Sequence, residues 1–161
     1  MDGRREFPDR PVVGVGGVVI LDGRALLIRR GSEPLKGQWS IPGGILELGE
    51  TLIEAVCREL REETSLDVLV LDLSEVFERI FPGADANPSV PLAVPPRPQY
   101  HFVIVDYLCE AIAGLPRAGS DVTDVALVCE EDLAAYNLTP AASRVVRKAL
   151  AMARNRAQSV L

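Results

Sequence analysis

The sequence predicts a mixed α/β layered domain. Three observations carry that expectation: short β-rich runs open the chain, a helical segment free of breakers follows, and a β-branched, aromatic run leads to a capped terminal helix. With 161 residues, 48% hydrophobic and 25% charged, the chain suits a single domain, 1–161, that buries a substantial core.

Taken in order, "VVGVGGVVI" and "ALLIRR" are joined by "LDGR", and Asp-Gly between apolar runs marks a tight antiparallel hairpin. "GSEPLKGQWSIPGG" reads as a loop punctuated by Gly and Pro. Thr51 then stands at an N-cap with Glu54 three residues on, a capping box that opens a helix over Leu52–Thr64. Two apolar segments follow, 68–73 and 76–80. The stretch "FPGADANPSVPLAVPPRPQ" holds six prolines, which exclude regular structure through most of its length. A lid, a partner-contacting loop and a disordered excursion all remain open for this 82–98 loop. "YHFVIVDYLCE" is expected near the sheet centre, and "GLPRAGSD" is a turn-rich loop. "DVALV" is a short strand and "EEDLAAY" a helical turn. Thr139 as N-cap and Pro140 at the first helical position start a terminal helix through 141–153. "GVGGVV" precedes a hairpin and lacks a following helix, so it is no dinucleotide-binding turn.

Composition narrows the function. A net charge of −6 argues against long nucleic acid as a partner but leaves a small phosphorylated ligand whose charge is met locally. Cys57, Cys109 and Cys129 form no C-x-x-C pair, which suggests buried thiols in place of a disulfide framework or zinc site. His101 is the single histidine, so no mechanism or metal site needing two is available. The first apolar run is ten residues with three glycines inside it, short for a signal core or a membrane span. A soluble, cytoplasmic protein without a membrane partner is the expectation.

The segment "GILELGETLIEAVCRELREETSL" concentrates acidic groups on one helix. At about 100° per residue, Ile53, Val56 and Leu60 share an apolar face, and Glu63 falls roughly 20° from Val56. Glu59 lies about 40° further round and Glu62 about 60° beyond it, a patch flanking the buried stripe. Such carboxylates are either solvated surface groups, balanced by Arg58 and Arg61, or ligands of a hard divalent cation. Arg58 can brace Glu62 as an i, i+4 pair without neutralising the patch.

The spacing resembles the Nudix box, G-x5-E-x7-R-E-U-x-E-E-x-G-U with U aliphatic: Gly44, Glu50, then Arg58-Glu59-Leu60-x-Glu62-Glu63-x-Ser65-Leu66. Ser65 replaces the pattern's glycine, at a position where glycine would ease a left-handed turn at about 1 kcal/mol less strain. The resemblance implies an α/β/α sandwich with a mixed sheet, and hydrolysis of a nucleoside diphosphate linked to another group. It implies Mg²⁺, with Mn²⁺ as an alternative, held by Glu59, Glu62 and Glu63 and a carbonyl of the Gly43-Gly44 turn. Arg58 and Glu50 would orient these ligands, and Glu47 would reach metal or substrate through water. The general base is Glu59 or Glu62, or else Asp121 or Asp124 of "GSDVTD", whose simpler role is turn capping. Arg29, Arg30 and Arg97 are candidates for substrate phosphate; adjacent strand residues point to opposite faces, so at most one of the first two serves. Trp39 is either packing or a stacking platform.

Among subgroups, "YHFVIVDYLCE" and "SDVTDVALV" look most like compact ADP-ribose pyrophosphatases, which implies ADP-ribose plus water to AMP and ribose 5-phosphate. The alternatives are a MutT-like enzyme releasing pyrophosphate from nucleoside triphosphates and a non-catalytic Nudix-fold module, which would typically lose box glutamates. Removal of pyrophosphate from RNA 5′ ends suits the chemistry but not the acidic balance. Homodimerisation through the sheet or the 82–98 loop is a further expectation.

Overall fold

The computed structural model describes residues 5–83, 97–119 and 121–159. Strand β1 (Val12–Leu21) turns into β2 (Arg24–Arg30) through Asp22 and Gly23, at φ 49° and 73°. Two positive φ values in a two-residue connection match the right-handed twist of the flanking strands, which is why Asp-Gly serves here. Two short strands follow, β3 (Trp39–Ser40) and β4 (Gly43–Ile45), and then helix α1 (Leu52–Thr64). Both halves of the expected capping box form: the Glu54 N–H donates to the Thr51 hydroxyl, and the Thr51 N–H to the Glu54 carboxylate. Strands β5 (Asp67–Phe81), β6 (Tyr100–Ala113) and β7 (Val122–Val128), a 3₁₀ helix (Glu130–Tyr136) and helix α2 (Pro140–Gln158) complete the chain. The 84–96 portion of the proline-rich loop lies outside the described residues.

The sheet runs β3-β2-β1-β6-β5, with β4 on β1 and β7 on β2. β1 and β6 pair in parallel while the other pairs are antiparallel, so the sheet is mixed and β6 is internal, as expected. The two apolar segments after α1 are one strand of 15 residues instead: register shifts against β6 near Val70 and Leu73 bend it without ending it.

Val18 and Val19, adjacent on β1, point to opposite faces and belong to separate core clusters. One packs Val145, Val146 and Ala149 of α2 against Val18, Leu27 and Leu108. The other packs Ala55, Val56 and Leu60 of α1 against Val15, Val19 and Leu26. The result is the α/β/α layering. Ile53 departs from the expected apolar face: it is 53% exposed, while Leu52 and Ala55 on either side of it pack against the cluster. Trp39 packs edge-on against Tyr136, with centroids 5.1 Å apart, and is structural. Ser65 itself takes the left-handed cap at φ 61°, its N–H donating to Arg61 O at 3.0 Å, so the helix ends as glycine would have ended it. Among the described residues no helix is long and apolar enough to cross a membrane.

Candidate functional site

Helix α1 and strand β4 form one wall of a cleft of about 340 Å³. The walls meet closely because Gly44 carries no side chain: a Cβ there would lie inside the Glu59 carboxyl group. Gly43 is constrained in the same way by the β1 backbone at Val15 and Gly16. Its N–H donates to Glu63 Oε2 at 2.8 Å, holding a carboxylate that is only 6% exposed. Burial pushes the Glu63 carboxyl up to about 8 despite that hydrogen bond, and the charges of Glu59 and Asp121 add to the shift.

Arg58 organises the neighbours. Its guanidinium makes a two-point pair with Glu50 at 2.6 and 2.9 Å, reaches Glu59 at 2.8 Å, and donates to Ile45 O at 3.1 Å. The Arg58 bonds, with the Glu47 N–H, hold the Glu50 carboxyl down at about 2. Glu59 is shifted the opposite way, raised by burial against the pull of Arg58. Glu62 lies 3.5 Å from Arg58 and is half-exposed toward the cleft.

The loop before β7 is tied to the end of α1. Arg117 N–H donates to Thr64 O at 2.9 Å and Gly119 N–H to Glu63 O at 3.0 Å, satisfying carbonyls that the helix leaves free. This carries Asp121 to the cleft, where it accepts from Ser32 Oγ at 2.7 Å and bears electrostatically on Glu59 and Glu63. Among the described residues no three His, Cys, Asp or Glu side chains converge in a preformed metal-binding cluster. The donor set nevertheless fits a hard cation: acidic oxygens with mutually raised carboxyl groups, around a glycine turn that leaves them room.

Of the expected substrate arginines, only Arg30 lines the cleft, its Nε anchored on Pro34 O at 2.8 Å. Arg29 is a correction: it is exposed and turned to Gly37 O at 3.0 Å, because neighbouring strand residues face opposite ways. Arg97 is a second correction; it pairs with Asp9 at 2.6 Å and with Phe7 O, outside the cleft. Asp124 is a third, since its carboxylate accepts from Val125 N–H and sits exposed on β7, away from the glutamates. Glu47 lines the cleft and its backbone N–H donates to Glu50 at 3.0 Å.

Sequence reasoning missed the far wall. Phe77 and Arg79 of β5, with Phe102, Ile104 and Asp106 of β6, line the same cleft. The signal was period-two alternation in "FERIF" and "FVIVD", with an aspartate on an otherwise apolar face.

The family model of the NUDIX domain matches residues 10–149. The chain is 35% identical to an ADP-ribose pyrophosphatase of Methanocaldococcus jannaschii over 71% of its length and 59% of that protein's. It is 33% identical to a MutT-like protein of Streptomyces ambofaciens over 75% and 66%. It therefore spans a little under two thirds of these relatives. The crystal structure of a MutT NUDIX hydrolase from Burkholderia pseudomallei superposes with a TM-score of 0.70 at 30% identity, covering 87% of this chain and 98% of that one.

Proposed function

The chain belongs to the NUDIX domain family, and on that premise we propose that it hydrolyses the phosphoric anhydride bond of a nucleoside diphosphate derivative, with ADP-ribose as the leading substrate. The observation that carries this reading is the meeting of Glu59, Glu62, Glu63, Asp121 and Arg30 in one cleft. Its substrate side is supported by relatives named ADP-ribose pyrophosphatase.

Glu59, Glu62 and Glu63, with a carbonyl of the Gly43-Gly44 turn, would hold Mg²⁺ or Mn²⁺. When bound, that ion supplies neutralisation of the anhydride's charge and acidification of coordinated water. The chain's own groups do the rest. Arg30 offers the cleft a cation for a substrate phosphate, whereas Arg58 is committed to Glu50 and Glu59. Glu50 acts through Arg58 to fix the Glu59 carboxylate, and Gly43 N–H fixes Glu63. The proton of the attacking water passes to Glu59, Glu62 or Asp121, all carboxylates lining the cleft.

Turnover of ADP-ribose, a nucleotide sugar, a dinucleoside polyphosphate, NADH and normal and 8-oxo nucleoside triphosphates with Mg²⁺ or Mn²⁺ tests this reading. AMP and ribose 5-phosphate as dominant products are expected. Pyrophosphate released from triphosphates would instead select the MutT-like reading, which the Streptomyces relative favours. Metal-dependent binding with no turnover would make the chain a ligand-binding module.

A further inference from the structure

The segment ahead of β1 crosses to the start of β6 and is tied there. Phe7 N–H donates to Gln99 O at 2.7 Å, and the Tyr100 hydroxyl donates to Glu6 Oε1 at 2.7 Å. The Gln99 side-chain amide reaches the same carboxylate oxygen at 3.2 Å. A hydrogen bond to an ionised carboxylate is of the stronger kind, and Tyr100 can hold one because it is itself fixed, buried and stacked on Phe102 with centroids 5.9 Å apart. Arg97 adds contacts to Phe7 O and Asp9, which are exposed and count for little. Residues 5–9 therefore form a strap, and its first residue, Arg5, lines the cleft.

Arg5 is placed for a part of the ligand other than the anhydride. Gly43, whose N–H holds Glu63, is level with Gly16, and Gly16 with Asp106 of β6. Tyr100 stands six residues before Asp106, about 20 Å along the strand at about 3.3 Å per residue. The charges around Arg5 favour an anion. Among the described residues no carboxylate pairs with it. Arg79 lines the same cleft, with its guanidinium 5.1 Å from the Phe81 ring centroid. Burial and the Arg30 charge pull the Arg79 guanidinium down against the attraction of Asp106, so an anion beside it relieves an unfavourable charge. A guanidinium matches a phosphate with two parallel N–H bonds. In a nucleotide whose anhydride sits at the glutamates, the ribose 2′ and 3′ oxygens are the places where a further phosphate is carried.

We propose that Arg5 is a specificity-determining residue that binds a phosphate monoester on the ribose of the substrate's nucleoside, and that Glu6 positions it through Tyr100. The inference rests on the proposed function only in requiring that a nucleotide enters the cleft with its anhydride toward the glutamates. The strap makes the cleft discriminate between two substrates that present the same anhydride to the same carboxylates.

The test measures binding of AMP, adenosine 2′,5′-bisphosphate and adenosine 3′,5′-bisphosphate, and turnover of NADH and NADPH, by wild type, Arg5→Ala, Arg5→Lys and Glu6→Ala. Arg5 and Glu6 are exposed, so these substitutions leave the core intact. Wild type is expected to bind one bisphosphate at least about tenfold more tightly than AMP, and which one tells whether the phosphate sits at the 2′ or the 3′ oxygen. Arg5→Ala should bring that ratio close to one with AMP affinity unchanged, and Arg5→Lys should keep part of it. Glu6→Ala should lose the same preference and add nothing in the Arg5→Ala background, which a general loosening of the fold would not reproduce. For a 2′ site, NADPH should then show the lower KM at an unchanged kcat. Equal affinity for all three ligands while turnover persists would overturn the inference alone, as would a preference that survives Arg5→Ala. A preference abolished by Arg5→Ala in a protein without turnover would uphold it and overturn the hydrolase reading, and no binding of any of the three would overturn the inference.

Discussion

The two ends of the cleft are built by different means. At the glutamate end the groups come from neighbouring stretches of chain, β4 and α1, and several acidic charges are answered: Arg58 takes Glu50 and Glu59, and Gly43 N–H takes Glu63. At the aromatic end β1, β5 and β6 each contribute residues far apart in sequence. The contrast teaches that local spacing places the glutamates, whereas strand register places the residues of the opposite wall.

The largest expected effect falls on the first wall. Glu62→Gln should keep the fold, because helix propensity hardly changes, and lower turnover by about 10²-fold or more for every nucleotide alike. Steady-state kinetics on two bases checks this, and near-normal turnover would remove Glu62 from the ligand set. Glu50→Gln acts one step back, through Arg58, so a loss of about 10- to 100-fold is expected, with weaker metal affinity as the accompanying readout.

Stability against pH sharpens the comparison, because the ends respond with the same sign and Glu50 with the opposite one. Glu63 and Asp106 have folded-state values raised to about 8 and about 7, above their ordinary 4.5 and 3.8. Their contribution is complete below the ordinary values and is lost as pH rises through the raised ones. Glu50, held down at about 2, contributes above 4.5 and loses its contribution as pH falls toward 2. Metal-free protein should therefore melt highest near about pH 5, with Mg²⁺ restoring Tm at alkaline pH. A metal-free Tm that climbs steadily into the alkaline range would contradict both raised carboxyl groups.

The smallest effect is expected outside the cleft. Arg97→Ala removes an exposed pair with Asp9, so turnover should stay within about twofold and Tm should change little. A raised KM with unchanged kcat would return Arg97 to the substrate.

Much of this was legible beforehand where the signal is local. The capping box, the Asp-Gly hairpin, the Thr139-Pro140 helix start and the glutamate spacing each need only a few neighbouring residues, and each appears in the structure. Errors arose where a tertiary partner decides. In sequence the two aspartates of the loop before β7 have equal standing; the bonds of Arg117 and Gly119 to the end of α1 bring Asp121 inward and leave Asp124 outside. Arg97 is a candidate phosphate binder in the sequence, where nothing near it shows that its acidic partner, Asp9, lies at the other end of the chain. Ile53 obeys helical periodicity yet is exposed, since periodicity assigns a broad face and the tertiary packing takes Leu52 and Ala55 on it instead.

The sequence by itself determined the layered α/β class, the acidic helix and the family, because backbone propensity and i, i+3 or i, i+4 spacing act within a few residues. Only the tertiary structure decided which arginine and which aspartate meet the glutamates, and that Gly16, Phe77 and Asp106 share a cleft. Their meeting depends on strand order and register, and register is set by packing across the whole sheet, with no single segment containing it.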